Sequence, residues 1–216
     1  MLQDVTFAEL GPAEFRQSID AFVAVYSAAM NPPERMLTGR DSILDRHAAS
    51  PGFRALAALV PSRSADGGAE VAGFTYGFHG EHGQWWHDMV SSALALATTG
   101  SAGATATEWI DDSFEVAELH VMPAHQGAGV GRSLLLRLLD DRPERTALLS
   151  TQDAESKARR LYRGVGFADL LINFRFAGGE PPYAVMGAPL PLRVQIPEAA
   201  RPDAARSAES PRPSIS

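Results

Sequence analysis

The sequence predicts a single mixed α/β (α+β) domain, and three observations carry that expectation. The chain has 216 residues, 45% of them hydrophobic, which is enough for one sizeable core. Strand-like runs of period two alternate with helix-like runs of period 3.6 along most of its length. Their order is a leading strand and a hairpin, then strand–loop–helix–strand–helix–strand–strand, which suits neither an all-helical nor an all-β fold. The expected architecture is a mixed, mostly antiparallel twisted sheet of six to seven strands flanked by helices. It covers residues 1–190, with 191–216 as a Pro/Ala/Ser-rich flexible tail.

Each element has its own signal. "DVTFAEL" (4–10) alternates and reads as a strand. Residues 11–30 read as one helix, with a proline near the start and Phe15, Ile19, Phe22, Val23 and Tyr26 at helical spacing. "GRDSILDRHAAS" (39–50) is a short helix ended by Pro51-Gly52. "FRALAALV" (53–60) and "EVAGFTYGFHG" (70–80) flank a turn-rich segment and form an antiparallel hairpin. In 81–113 the first half reads as a helix with Trp85, Met89, Leu94 and Leu96 on its apolar side, and the second half as a loop of small residues. "FEVAELHVM" (114–122) is a strand, 128–141 an amphipathic helix and "TALLST" (146–151) a buried strand. "ESKARRLYRGVG" (155–166) is a helix closed by Gly166, and two last strands flank "GGEPP".

Composition narrows the function classes. A net charge of −7 disfavours a general nucleic-acid or anionic-membrane binder. With no cysteine there is no disulfide, thiolate metal site or cysteine nucleophile. The N-terminus lacks a basic stretch followed by an apolar one, and no run approaches the roughly 20 apolar residues of a membrane helix, so a cytoplasmic protein is expected.

The informative stretch is "LHVMPAHQGAGVGRSLLLRLL" (119–139). Gly127, Gly129 and Gly131 follow a strand and open a helix. Arg132 stands where a dinucleotide fingerprint needs its third glycine spacing, and a P-loop's Gly-Lys-Ser/Thr ending is absent. Three glycines exceed the needs of a turn, since each costs about 0.5–1 kcal/mol of conformational entropy. Backbone amides at a helix N-terminus, the helix dipole and Arg132 together suit a phosphate group.

This stretch resembles the central motif of the GNAT (GCN5-related) N-acetyltransferase superfamily. Val121 and Pro123 end the strand, and Gln126, Gly129 and Gly131 fill the Gln-x-x-Gly-x-Gly positions. "ARRLYRGVGF" (158–167) resembles the family's next motif through Ala158, Leu161, Tyr162, Gly166 and Phe167. The resemblance implies a sheet splayed at its centre. It implies acetyl-CoA as co-substrate, no metal, and direct transfer to an amine without an acyl-enzyme. Main-chain groups of Leu119, His120 and Val121 would hold the pantetheine arm. The loop Gln126, Gly127, Ala128, Gly129, Val130, Gly131 and Arg132 would hold the diphosphate. Many members carry an asparagine at the position of Glu155, so Glu155 is the counterpart contact here. Some place a glutamate where this chain has Ser150, so a base from that strand is not expected.

Two proton transfers need groups. An alkylammonium of pKa near 10.4 leaves only about one amine in a thousand nucleophilic at neutral pH. Glu118, and after it His120, are the base candidates, sharing one face of their strand. Tyr162 is the candidate acid for the leaving thiolate. Trp85 and Trp86 are candidates for the acceptor wall, in a segment (81–113) expected to be an inserted helix and loop over the acceptor side. Glu108, Asp111, Asp112 and Glu115 could draw a cationic acceptor toward it. His79, His82 and His87 lack a helical His-x-x-x-His spacing, so no metal is expected. The reading is an N-acetyltransferase acting on a primary amine of a small molecule. A protein N-terminal or lysine acetyltransferase and a non-catalytic acyl-CoA-binding module are the alternatives, and homodimer formation is left open.

Overall fold

The structure is a computed structural model that describes residues 4–62, 68–98, 106–176 and 181–193. Most of the expected tail, 194–216, and part of the small-residue loop expected in the second half of 81–113, residues 99–105, lie outside the described residues; the rest of that expected loop is corrected, since Ala106–Ile110 is a short helix.

Among the described residues, seven strands form one sheet in the order β1-β2-β3-β4-β5-β7-β6. They are β1 (Thr6–Leu10), β2 (Arg54–Pro61), β3 (Ala69–His79), β4 (Ser113–Val121), β5 (Thr146–Gln152), β6 (Ala168–Phe174) and β7 (Tyr183–Pro189). Every neighbouring pair is antiparallel except β4 and β5, which run parallel. That pairing covers only Ser113–Glu115 against Thr146–Leu148. Beyond it the two strands part, and a gap opens at the centre of the sheet.

Helices cover both faces. α6 (Val130–Leu138) and α7 (Lys157–Gly164) pack on one face through Leu134, Leu135, Leu138 and Tyr162, against Phe114, Ala147 and Met186. On the other face, α1 (Pro12–Gln17), α2 (Ile19–Met30) and α3 (Arg40–His47) cover β2 and β3 with an aromatic cluster of Phe15, Phe22, Phe74 and Tyr76. Beside it, α4 (Trp85–Thr98) and α5 (Ala106–Ile110) cover the far half of the sheet through Val90, Leu94 and Ile110 against Leu148 and Val185.

Two helical expectations are corrected. Residues 11–30 are two helices, because Ser18 leaves helical geometry (φ −99°, ψ 2°) and its hydroxyl donates to the Glu14 carbonyl at 2.9 Å. Val25 is buried there, whereas Val23 is half-buried. In α4 the buried stripe is Trp86, Val90 and Leu94 at i, i+4, i+8. Trp85 and Leu96 face outward, 60% and 77% exposed.

The pairing of β3 with β4 contains a bulge. Tyr76 faces Glu118 and Gly77 faces Val116, so Ala117 has no partner. A Cβ at Gly77 would lie 2.4 Å from the Glu115 carbonyl oxygen, so only glycine lets the strands approach there. The extra residue reverses the alternation. Phe114 and Val116 point into the α6 side, whereas Glu118 and His120 sit opposite Tyr76 and Phe74, on the α2–α3 side.

Candidate functional site

The gap between β4 and β5 separates two cavities. One, of about 450 Å³, lies at the N-terminus of α6. Leu119, His120 and Val121, the loop residues Gln126, Gly127, Gly129, Gly131 and Arg132, and Tyr162 of α7 line it. The loop has this form for local reasons. Gly127 (φ 79°) and Gly129 (φ 89°) occupy the left-handed region, which a side chain would strain. The Gln126 amide donates to the Val121 carbonyl at 3.1 Å and ties the loop to the strand end. The amides of Val130, Gly131 and Arg132 are in the first turn of α6 and have no acceptor within the helix. Ala128 is exposed, and Val130 turns its side chain into the core, so either can offer the cavity only main chain. These features suit an anionic, phosphate-bearing ligand: free donors, a dipole end and a cation.

Glu155 is the exception. It does not line this cavity, and its carboxylate pairs with Arg163 at 2.9 Å. Ala158, Leu161 and Tyr162 of the motif do line the cavity, and beside them stand two cations three apart on α7, Lys157 and Arg160. Sequence reading passed over them, although their helical spacing next to Leu161 and Tyr162 was available.

Tyr162 is buried on α7, its ring 6.0 Å from that of Phe167. Burial pushes its phenol up to about 12.

The second cavity, of about 620 Å³, is a cleft between α3 and the start of α4, over the same gap. Ile43, His47, Phe78, Trp85, Trp86 and Glu115 are among its lining residues. Both expected tryptophans are therefore at this cleft. The Trp86 indole donates to the Ser150 hydroxyl at 3.1 Å, which fastens α4 to β5. Trp85 stands at the rim, its ring 5.3 Å from that of Phe176.

The base candidates are part of a buried polar network. Arg40 of α3 lies 2.7 Å from Glu118 Oε2, and His120 Nε2 is 3.3 Å from the same oxygen. Tyr76 donates its hydroxyl hydrogen to Glu118 Oε1 at 2.9 Å, and His47 Nδ1 is 3.0 Å from the Tyr76 oxygen. Burial pushes the Glu118 carboxyl up, but His120, Arg40 and Tyr76 outweigh it and hold the group below its ordinary value. Burial and the nearby Glu118 push the Tyr76 phenol well above its ordinary value. His47 is lowered by burial, with Arg46 and Arg40 adding to the effect and Glu118 opposing it.

The four acidic residues expected to draw a cation do not form one surface. Glu115 turns inward, 4% exposed, and its carboxylate is 2.8 Å from His87 Nδ1. Burial raises its carboxyl against the opposing effect of His87. The three histidines of 79–87 take separate carboxylate partners: His79 with Glu144, His82 with Asp88 and His87 with Glu115. Among the described residues, no three metal-ligating side chains converge. Sequence reading missed Arg40, His47 and Tyr76, which no motif marks.

Comparison with known proteins locates this arrangement. Residues 69–169 match the family model described as "Acetyltransferase (GNAT) domain". The chain is 32% identical over 202 residues to the GCN5-like protein acetyltransferase Rv2170 of Mycobacterium tuberculosis, covering 85% of this chain and 97% of that protein. It is 33% identical over 116 residues to the mycothiol acetyltransferase of Kineococcus radiotolerans, across 47% of this chain and 38% of that protein. Among solved structures, one of the NatC complex bound to Gag peptide and CoA superposes with a TM-score of 0.58 at 15% identity, over 87% of this chain and 99% of that one. The ribosomal-protein-S18-alanine N-acetyltransferase of Escherichia coli gives 0.54 at 16% identity, over 86% and 93%. These two likenesses concern the fold.

Proposed function

The chain belongs to the GNAT acetyltransferase family, and on that premise we propose that it passes an acetyl group from acetyl-CoA directly to a primary amine of a small molecule held in the α3–α4 cleft. The observation that carries this reading is the pair of cavities along β4 where it leaves β5, one suited to an anion and the other walled by Phe78, Trp85 and Trp86. A cleft of about 620 Å³ is within the size range of small-molecule sites.

Acetyl-CoA supplies the acetyl thioester. The amides from Gly127 to Arg132 would hold its diphosphate, with Lys157 and Arg160 adding positive charge, whereas the Gln126 amides are spent on the Pro123 and Val121 carbonyls and brace the loop. The main chain of Leu119, His120 and Val121 has no β5 partner and would hold the pantetheine arm. Tyr162 is the acid that protonates the leaving sulfur. Glu118 acts through its partners and does not itself take the proton, because Arg40, Tyr76 and His120 stabilise its ionised form.

The test is release of free thiol from acetyl-CoA across two panels, small primary amines and lysine-bearing or free-N-terminal peptides. Turnover of a small amine with no turnover of peptides supports the reading, and the reverse overturns it. A protein lysine acceptor is the second reading. It is favoured by the 32% identity to a protein acetyltransferase across nearly all of that relative. Thiol release with neither panel, alongside tight CoA binding, would instead favour a binding module.

A further inference from the structure

We propose that His47 is the group that takes the proton from the acceptor amine, held in its reactive tautomer by Tyr76 and Glu118. The inference rests on the acetyltransferase reading and names a residue that neither sequence motif contains.

The argument starts from one proton. A phenol has a single hydrogen to donate. Tyr76 gives it to Glu118 Oε1 at 2.9 Å. The contact between the Tyr76 oxygen and His47 Nδ1, at 3.0 Å, therefore needs its hydrogen from the imidazole. That fixes His47 with Nδ1 protonated and Nε2 bare. Nε2 has no hydrogen-bond partner among the described residues, and His47 lines the acceptor cleft. The arrangement is a carboxylate–phenol–imidazole chain, its carboxylate anchored by Arg40 and its far end open to the acceptor.

The surrounding charges keep this end neutral. Arg40 and Arg46 of α3 disfavour imidazolium, Glu118 of β4 favours it, and burial is the largest effect and disfavours it. Tyr76 of β3 keeps its hydrogen. Glu115, the other carboxylate lining the cleft, is enclosed by His87, Gly80 and Ser113, whereas His47 is half-buried and accessible. His47, half-buried at the cleft with Nε2 unpartnered among the described residues, is thus an unprotonated base at neutral pH.

The step balances. A neutral amine nitrogen forms the bond to the acyl carbon and gives one hydrogen to His47 Nε2. The carbon–sulfur bond breaks, and the sulfur takes one hydrogen from Tyr162. Solvent then carries the hydrogen on His47 back to the phenolate.

Two measurements test this. The first needs no acceptor. Nitrogen NMR of the unliganded protein, with the His47 signals assigned by their loss in His47→Gln, should show Nδ1 protonated and Nε2 bare at pH 7.5. Tyr76→Phe should abolish that preference. A ring protonated at Nε2 overturns the proposal. The second is kcat/KM for the acceptor against pH. In the wild type it should fall on the acid side with the His47 NMR titration. His47→Gln should lose about 100-fold and the acid limb, with CoA affinity by calorimetry within threefold. Glu115→Gln should keep the limb. An acid limb that survives in His47→Gln, or disappears only in Glu115→Gln, overturns the assignment. Should His47→Gln not fold, Tyr76→Phe decides, with a 3- to 10-fold fall in kcat/KM expected and an unchanged value overturning it. A wild type that releases no thiol with any amine refutes the acetyltransferase reading instead, a result separate from the tautomer measurement.

Discussion

The Tyr76 hydroxyl and the Glu118 carboxylate meet 2.9 Å apart across β3 and β4, at the register position next to the unpaired Ala117. One bulge has two consequences. It reverses the alternation of β4, so a strand that enters with Phe114 and Val116 in the α6-side core leaves with Glu118 and His120 on the other face. It also lies just past the last residue of β4 that pairs with β5, where the sheet opens. The site therefore depends on Gly77, Ala117 and the short β4–β5 pairing, none of which bears a reactive group.

Arg40 should be a stability residue as much as a site residue. Removing it leaves the Glu118 carboxylate partly buried without its cation. Arg40→Ala should cost about 3 kcal/mol in denaturant unfolding, with the double variant Arg40→Ala/Glu118→Gln recovering part of the loss. The sign with pH follows from the lowered carboxyl of Glu118. Its stabilisation is fully present above the ordinary glutamate value of 4.5 and is lost as pH falls through the folded-state value. Wild-type stability should decline on acidification below about pH 4.5 more steeply than that of Glu118→Gln.

Tyr162→Phe should separate chemistry from binding. Turnover should fall by about 10- to 100-fold, with CoA affinity in calorimetry within threefold. The phenol, at about 12, stays protonated across the neutral and mildly alkaline range. Between pH 7 and 10 the wild-type kcat should thus show no alkaline fall due to this residue. An unchanged turnover in Tyr162→Phe would remove it from the reaction.

Gly129→Ala should do the opposite. The glycine holds φ 89° at the N-cap of α6, a conformation that costs an alanine about 1–3 kcal/mol. The loop should relax and turn its amides away. CoA affinity should weaken by at least tenfold, with kcat at saturating cofactor reduced far less.

The contrast between loop and network explains what the sequence made legible. The diphosphate loop was readable because its geometry is local: glycines at 127 and 129 adopt the positive φ that they permit. The helix end at Gly166 (φ 106°) was readable for the same reason. The Arg40–Glu118–Tyr76–His47 network joins residues far apart in the chain, and only the packing of α3 on β3 and β4 brings them together. The Ala117 bulge leaves no mark in a pattern of alternating side chains. Motif position points Glu155 to the cofactor, but it precedes the N-cap of α7 and Arg163 of that helix donates to its carboxylate.

The two adjacent tryptophans should behave differently, and that contrast tests the role given to α4. Trp86 packs against the cluster around Leu148 and Val185, and its indole donates to Ser150 on β5. Trp86→Phe keeps most of the packing but leaves the Ser150 hydroxyl without that donor, so unfolding should be easier by about 1 kcal/mol. Because this bond also fixes the helix that walls the cleft, the acceptor KM should rise with it. Trp85 is 60% exposed at the rim, with its ring 5.3 Å from that of Phe176. Trp85→Ala should leave stability within about 0.5 kcal/mol of wild type and raise the acceptor KM several-fold, with kcat and CoA affinity unchanged. Equal effects of the two substitutions on stability, with no effect of either on acceptor KM, would make α4 a cover for the sheet and nothing more. Val90, Leu94 and Ile110 already commit α4 and α5 to that cover. Excising 81–113 would therefore unfold the far half of the sheet, and single substitutions at the cleft are the cleaner probe of the acceptor wall.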